Sequence, residues 1–191
     1  MTQMLIIGPP GSGKGTQATR ISDRLGIVAI STGDIFRANV KEETPLGIEA
    51  KKYIDKGEFV PDSVTNNMVR DRLKQPDAAD GFLLDGYPRT SGQVDELDNI
   101  LAEAGSQLDI VLQLTADDEE LVKRLLGRAA QEGRSDDNET VIRRRLALYH
   151  EETAVVVNRY AERGIVATVD GIGDIDDVTE RIMTALKSVT A

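Results

Sequence analysis

Five short stretches of this chain are almost continuously apolar: Met4–Ile7, Ile27–Ile30, Phe82–Leu84, Ile110–Leu114 and Ile165–Val169. A strand with one face in water would alternate apolar and polar residues, so each stretch reads as a strand buried on both faces. The segments between them carry helical stripes. Val94, Leu97, Ile100, Leu101 and Ala104 share one helix face, and Val178, Ile182, Leu186 and Val189 share another. Thr90 with Gln93, and Asp117 with Glu120, have capping-box spacing at helix starts. Strands alternating with helices predict an α/β fold: a central parallel sheet between two helical layers, α/β/α.

Two segments depart from that rhythm. From Ser31 to Val60 the sequence is helix-compatible (Thr32–Glu42, then Leu46–Lys56) and has no clear strand. Ala129–Asn138 is polar and reads as a loop between two helices. Both are expected to be excursions from the sheet, near strand ends where ligands are gripped. With no repeat and no Pro/Gly/Ser linker, 191 residues are expected to form one domain. The apolar content of 40% is enough for a core.

The strongest chemical signal is Gly8-Pro-Pro-Gly-Ser-Gly-Lys-Gly-Thr16, which follows the first strand and opens a helical pattern. That context marks a phosphate-binding P-loop. Gly11, Gly13 and Gly15 let backbone amides turn inward, Lys14 adds a cation, and the helix N-terminus presents its dipole to the anion. The general pattern places Ser or Thr directly after the Lys. Here Gly15 intervenes and the hydroxyl comes at Thr16.

The charge balance is 23 basic against 33 acidic residues, net −10, which disfavours nucleic acid polymers and anionic membranes as partners. Yet six arginines (Arg124, Arg128, Arg134, Arg143, Arg144 and Arg145) fall within 22 residues. They fit either a small polyanionic ligand or a solvated charged helix face. Absence of Cys excludes disulfides, thiolate zinc sites and a cysteine nucleophile. His150, the single His, is expected to be a packed helix residue. No apolar run approaches the roughly 20 residues of a membrane span. Met1–Pro10 lacks a secretory pattern. A cytoplasmic location is expected.

Four segments in order, Gly8–Thr16, Ser31–Arg37, Asp85–Thr90 and the arginine zone at Arg128, Arg134 and Arg145, make the chain resemble the adenylate kinase family from Met4 to about Val178. Gly-Lys-Gly-Thr is that family's usual loop ending. The resemblance implies magnesium-dependent phosphoryl transfer from ATP to AMP giving two ADP, and a monomer. It divides the chain into a core of residues 1–30, 61–126 and 138–191, an AMP-binding segment of 31–60 and a lid of 127–137. Many bacterial relatives carry a lid of several tens of residues, often with zinc. Here eleven residues fill that space, so no structural zinc is expected.

Carried over residue by residue, the resemblance assigns Gly11, Ser12, Gly13, Lys14, Gly15, Thr16, Arg124, Arg128 and Gly173 to ATP, with its adenine near Gly171–Gly173. It assigns Thr32, Arg37, Glu58, Phe59, Val60, Gly86, Tyr87, Pro88, Arg89, Gln93, Arg134 and Arg145 to AMP, with Gln93 reading the adenine edge and Glu58–Val60 contacting largely through backbone. Lys14, Arg89, Arg128, Arg134 and Arg145 would compensate charge during transfer, and Asp85 would orient magnesium carried by ATP, with no direct protein metal site. Some relatives have Lys where Gly173 stands.

Alternatives remain at this level. Only one of Arg143, Arg144 and Arg145 is expected to reach the site; the motif favours Arg145. Gln93 could instead serve only as a cap. A UMP/CMP kinase shares the fold and short lid, although relatives of that type tend to have Ala at the Thr32 position and Asn at the Gln93 position. A nucleotide-binding switch would need the P-loop and Asp85, and would leave Arg37, Arg89 and Arg134 without a purpose.

Overall fold

The computed structural model describes residues 2–133 and 138–190. Five strands, β1 (Thr2–Ile7), β2 (Val28–Ser31), β3 (Gly81–Asp85), β4 (Ile110–Thr115) and β5 (Val166–Asp170), form one parallel sheet in the order β2-β3-β1-β4-β5. Each coincides with a predicted apolar run to within one or two residues. Burial on both faces is visible along β1. Leu5 and Ile7 join the core on one side with Val94, Leu97 and Tyr160; Met4 and Ile6 join the other with Ile21, Val178 and Ile182. That alternation of direction is the strand period of two, here apolar on both sides.

The first side is covered by α4 (Asp62–Leu73), α5 (Ser91–Glu103) and α8 (Ala154–Glu162). The second is covered by α1 (Lys14–Leu25) and α9 (Ile175–Thr190). Leu83 and Leu84 are fully buried on opposite faces, and cutting either to Ala should cost about 2–5 kcal/mol. Both capping signals are present: Gln93 N donates to Thr90 Oγ1 at 3.2 Å, and Glu120 N to Asp117 Oδ2 at 3.3 Å. No helix among the described residues is long and apolar enough to cross a membrane.

The excursion after β2 contains α2 (Thr32–Lys41) and α3 (Pro45–Ile54), started by Ser31 and Thr44 side-chain caps. Phe36, Ala50 and Val60 give it a small core of its own. The two helices meet at Gly47, where a Cβ would lie 2.0 Å from the Asn39 carbonyl oxygen. Any side chain there would part the pair.

The second excursion differs from the expected loop. The helix α6 (Asp118–Glu132) runs through Ala129–Glu132 and ends on left-handed Gly133. Ala, Gln and Glu are good helix formers, and Gly133 closes the end, so polarity here marks an exposed helix end. Helix α7 (Glu139–Leu148) packs back on α6 through Leu121, Leu125, Ile142 and Leu146. A π-helical turn, Tyr149–Thr153, joins α7 to α8. It carries His150, which is exposed and sits 3.0 Å from Asp118 Oδ1, not packed inside. An i→i+5 turn departs from the 3.6-residue helical phase, and here it turns His150 outward.

Candidate active site

The carboxyl ends of β1, β2 and β3 open into a cleft of about 1040 Å³, counting its open mouth. Lys14, Thr32, Arg37, Glu58, Phe59, Val60, Gly86, Tyr87, Pro88, Arg89, Gln93 and Arg145 all line it. They come from the start of α1, from α2, the α3–α4 loop, the β3–α5 connection, α5 and α7.

The loop after β1 reaches α1 at Gly13, which caps the helix without any side-chain acceptor, so no side chain competes for the first amides. Gly13, Gly15 and Thr16 are exposed, while Ser12 is buried. Lys14 turns back to Asp85 at the end of β3, with Nζ 2.9 Å from Oδ1. Burial lowers the Lys14 ammonium below its ordinary value. Asp85 opposes this, and the Arg89 and Arg145 guanidinium groups lower it further. An anion in the cleft would relieve that crowding of cations.

The wall beyond Asp85 is built by a tight turn. Gly86 has φ 90°, and a Cβ there would lie 2.6 Å from Thr32 Oγ1, so the turn excludes a side chain. Thr32 is buried, with its hydroxyl 3.4 Å from the Asp85 carbonyl. Tyr87 donates to Asn66 Oδ1 at 2.8 Å and precedes a cis Pro88. Arg89 donates from Nε to the Gly86 carbonyl at 2.8 Å, and its guanidinium carbon lies 5.5 Å from the Phe59 ring centre. Two contacts thus hold its fork in place. Arg37 is paired at its own helix start with Asp34, 2.5 Å away, and also lines the cleft.

Of the three consecutive arginines on α7, Arg145 lines the cleft. Arg143 pairs with Glu119 and Glu139, and Arg144 with Glu58 at 2.9 Å. Gly11, Ser12, Gly13, Gly15, Thr16, Asp85, Arg124, Arg128 and Gly173 do not line this cleft. Of the P-loop, Gly8, Pro10 and Lys14 line the cleft, and Gly11 meets α6. There Arg124 Nη1 on α6 comes 3.5 Å from the Gly11 carbonyl, with half-buried Arg128 one turn further on. Gly171 abuts the loop, since a Cβ there would be 3.1 Å from the Ser12 carbonyl. Gly173 is exposed beside Arg181, whose Nη1 donates to the carbonyls of Asp170 and Ile172. Arg134 lies outside the described residues.

The sequence reading missed several members of the site. Phe36, Tyr149 and Thr153 line the cleft, and Thr153 donates to the Arg89 carbonyl at 3.2 Å. Asp62 accepts from Thr90 and Gln93. Asp62 follows Pro61 at a helix start, which is a local signal for the helix and none for the contact, 31 residues away.

A model of the family described as adenylate kinase matches residues 6–165. The adenylate kinase of Pseudarthrobacter chlorophenolicus is 74% identical over 191 residues, covering 100% of both chains. That of Renibacterium salmoninarum is 73% identical over 191 residues, covering 100% of this chain and 99% of the relative. That of Thermobifida fusca is 53% identical over 186 residues, covering 97% and 98%.

Proposed function

The chain belongs to the adenylate kinase family, and from that membership we infer how its cleft performs the family reaction. The enzyme transfers the terminal phosphoryl group of ATP reversibly to AMP, giving two ADP. The observation that carries the assignment of residues is the convergence of Lys14, Arg37, Arg89 and Arg145, from four separate places in the chain, on one cleft.

AMP occupies the cleft between α2 and the β3–α5 connection. Thr32 and Gln93 meet its base, Arg37 and Arg89 its phosphate, and Glu58–Val60 contribute chiefly backbone. ATP lies across the P-loop from Gly11 to Thr16, its adenine near Gly171–Gly173. Arg124 and Arg128 reach its phosphates from α6, while Arg134 and Arg145 act between the two nucleotides. The phosphate oxygen of AMP is already ionised at neutral pH, given a second pKa of about 6, so no general base is required. The task left to the protein is to bring two polyanions head to head. Guanidinium forks suit it because they hold oxygens in fixed directions and stay charged.

The donor set fits a magnesium ion that arrives on ATP. Asp85 is a buried carboxylate beside the P-loop, and no cluster of three or more His, Cys, Asp or Glu exists among the described residues. Ions held that way need one or two carboxylates plus substrate phosphates. Asp85 would hold the ion through its waters, and the ion would supply neutralisation of phosphate charge. Residues 127–137 act as a lid that closes when phosphate draws in its arginines, excluding water. The enzyme works as a monomer in the cytoplasm.

A coupled assay of ADP formation from ATP with AMP, UMP, CMP and GMP in parallel tests the reading. AMP should be the preferred acceptor by at least tenfold; a pyrimidine monophosphate used as well as AMP would overturn the base assignment.

A further inference from the structure

Gln93 is 2% exposed and its amide has two fixed partners. Oε1 accepts from the Arg89 backbone N–H at 2.7 Å, and Nε2 donates to Asp62 Oδ1 at 2.9 Å. These partners admit only one orientation. A backbone N–H can only donate and a carboxylate can only accept, so a flipped amide would face donor with donor and acceptor with acceptor. The carboxylate is itself held. Thr90 Oγ1 donates to Asp62 at 3.2 and 3.1 Å, and accepts from Gln93 N at 3.2 Å. The packing around it is close, since a Cβ at Gly92 would come within 3.0 Å of Asp62 Oδ2.

We propose that Asp62 is a positioning residue for base selection: it fixes which end of the Gln93 amide donates and which accepts. The proposal rests on Gln93 reading the base of AMP. After its two fixed bonds the amide keeps one lone pair and one N–H. The 6-amino edge of adenine offers a donor and an acceptor and pairs with them. Hypoxanthine, with a carbonyl at position 6 and a protonated neighbouring nitrogen, presents the opposite order and could pair only with the flipped amide. Without Asp62 only the Arg89 N–H would favour that orientation, and an amide held by one partner admits the flipped form more readily. A carboxylate at the start of α4 could owe its place to the helix alone, but the oxygens of Asp62 are spent on α5 and its cap.

The test compares kcat/KM for AMP and inosine monophosphate at fixed ATP, with KM for ATP and thermal stability measured alongside. Asp62→Ala should lower the AMP preference about tenfold, the worth of one hydrogen bond to a charged group, and leave KM for ATP within twofold. Asp62→Asn keeps an acceptor oxygen facing Nε2 and should hold the preference within threefold. Asp62→Ser, too short to reach Gln93 and still polar at the first helical position, replaces the alanine variant should that fail to fold. Gln93→Ala separates the premise from the proposal. If it leaves the preference unchanged, Gln93 does not read the base and the proposal falls with that reading. If Gln93→Ala abolishes the preference while Asp62→Ala and Asp62→Ser retain it, or if those two raise both KM values alike, Asp62 has no positioning role.

Discussion

Replacing Gly47 by Ala should damage use of AMP from a position that lines no part of the cleft. The new Cβ would stand 2.0 Å from Asn39 O, 2.2 Å from Asn39 C and 2.6 Å from Val40 N. These are backbone atoms of α2 and cannot rotate aside. Restoring ordinary contact near 3.4 Å would part α2 and α3 by about 1.4 Å. That opens the small core of Phe36, Ala50 and Val60. Overpacking of this kind costs ~1–3 kcal/mol, and immobile obstructing atoms put it at the upper end, about 3. The gain in helix propensity from Gly to Ala returns about 1 kcal/mol. The net loss is about 2 kcal/mol, a fall in Tm of roughly 4–8 °C for a chain of this size. Because Phe36 and Val60 line the cleft, KM for AMP should rise several-fold while KM for ATP stays within twofold. Gly127→Ala is the control: it lies in α6 with nothing within 4 Å of the added carbon, and should raise stability by about 0.5–1 kcal/mol. Urea unfolding and steady-state kinetics on both variants decide it. A Gly47→Ala protein stabilised as much as the Gly127→Ala protein would refute the packing argument.

Three further outcomes are expected. Arg89→Ala removes a fork held by Gly86 and Phe59, and should raise KM for AMP about 10–100-fold in initial-rate assays while sparing ATP binding; equal loss of both would mean the pocket assignment is wrong. Gln93→Asn should move preference towards pyrimidine monophosphates, read as the AMP to CMP ratio of kcat/KM, and an unchanged ratio would count against base reading. Lys14 is held below the lysine value of 10.5, so its charge is lost at lower pH than that of an exposed lysine. The alkaline limb of kcat/KM for ATP should therefore fall below pH 10.5 and disappear in Lys14→Arg. In the window between the lowered value and 10.5 the folded chain binds fewer protons at Lys14 than the unfolded chain, so this group's contribution to stability rises with pH there.

The sheet was legible because strands buried on both faces leave near-continuous apolar runs, and all five runs became strands. The P-loop was legible because a strand, a Gly-rich turn and a helix occur in one local stretch. What the linear order hid is mostly long-range or phase-dependent. Asp62 meets Gln93 across 31 residues, and Arg144 meets Glu58 across 86, so neither contact leaves a local pattern. His150 lies exposed on a π-helical turn and faces Asp118, 32 residues away, which no local pattern announces. The end of α6 was readable from Gly133, but polar composition at Ala129–Glu132 obscured it.

Binding of a bisubstrate analogue, two adenosines joined by five phosphates, tests most directly whether the gathered arginines serve two nucleotides end to end. Calorimetry should give one molecule per chain, bound at least 100-fold more tightly than ATP or AMP alone, as expected for two linked ligands in adjacent pockets. It should also compete with both nucleotides. An analogue bound no more tightly than ATP, or displaced by ATP and not by AMP, would contradict the account.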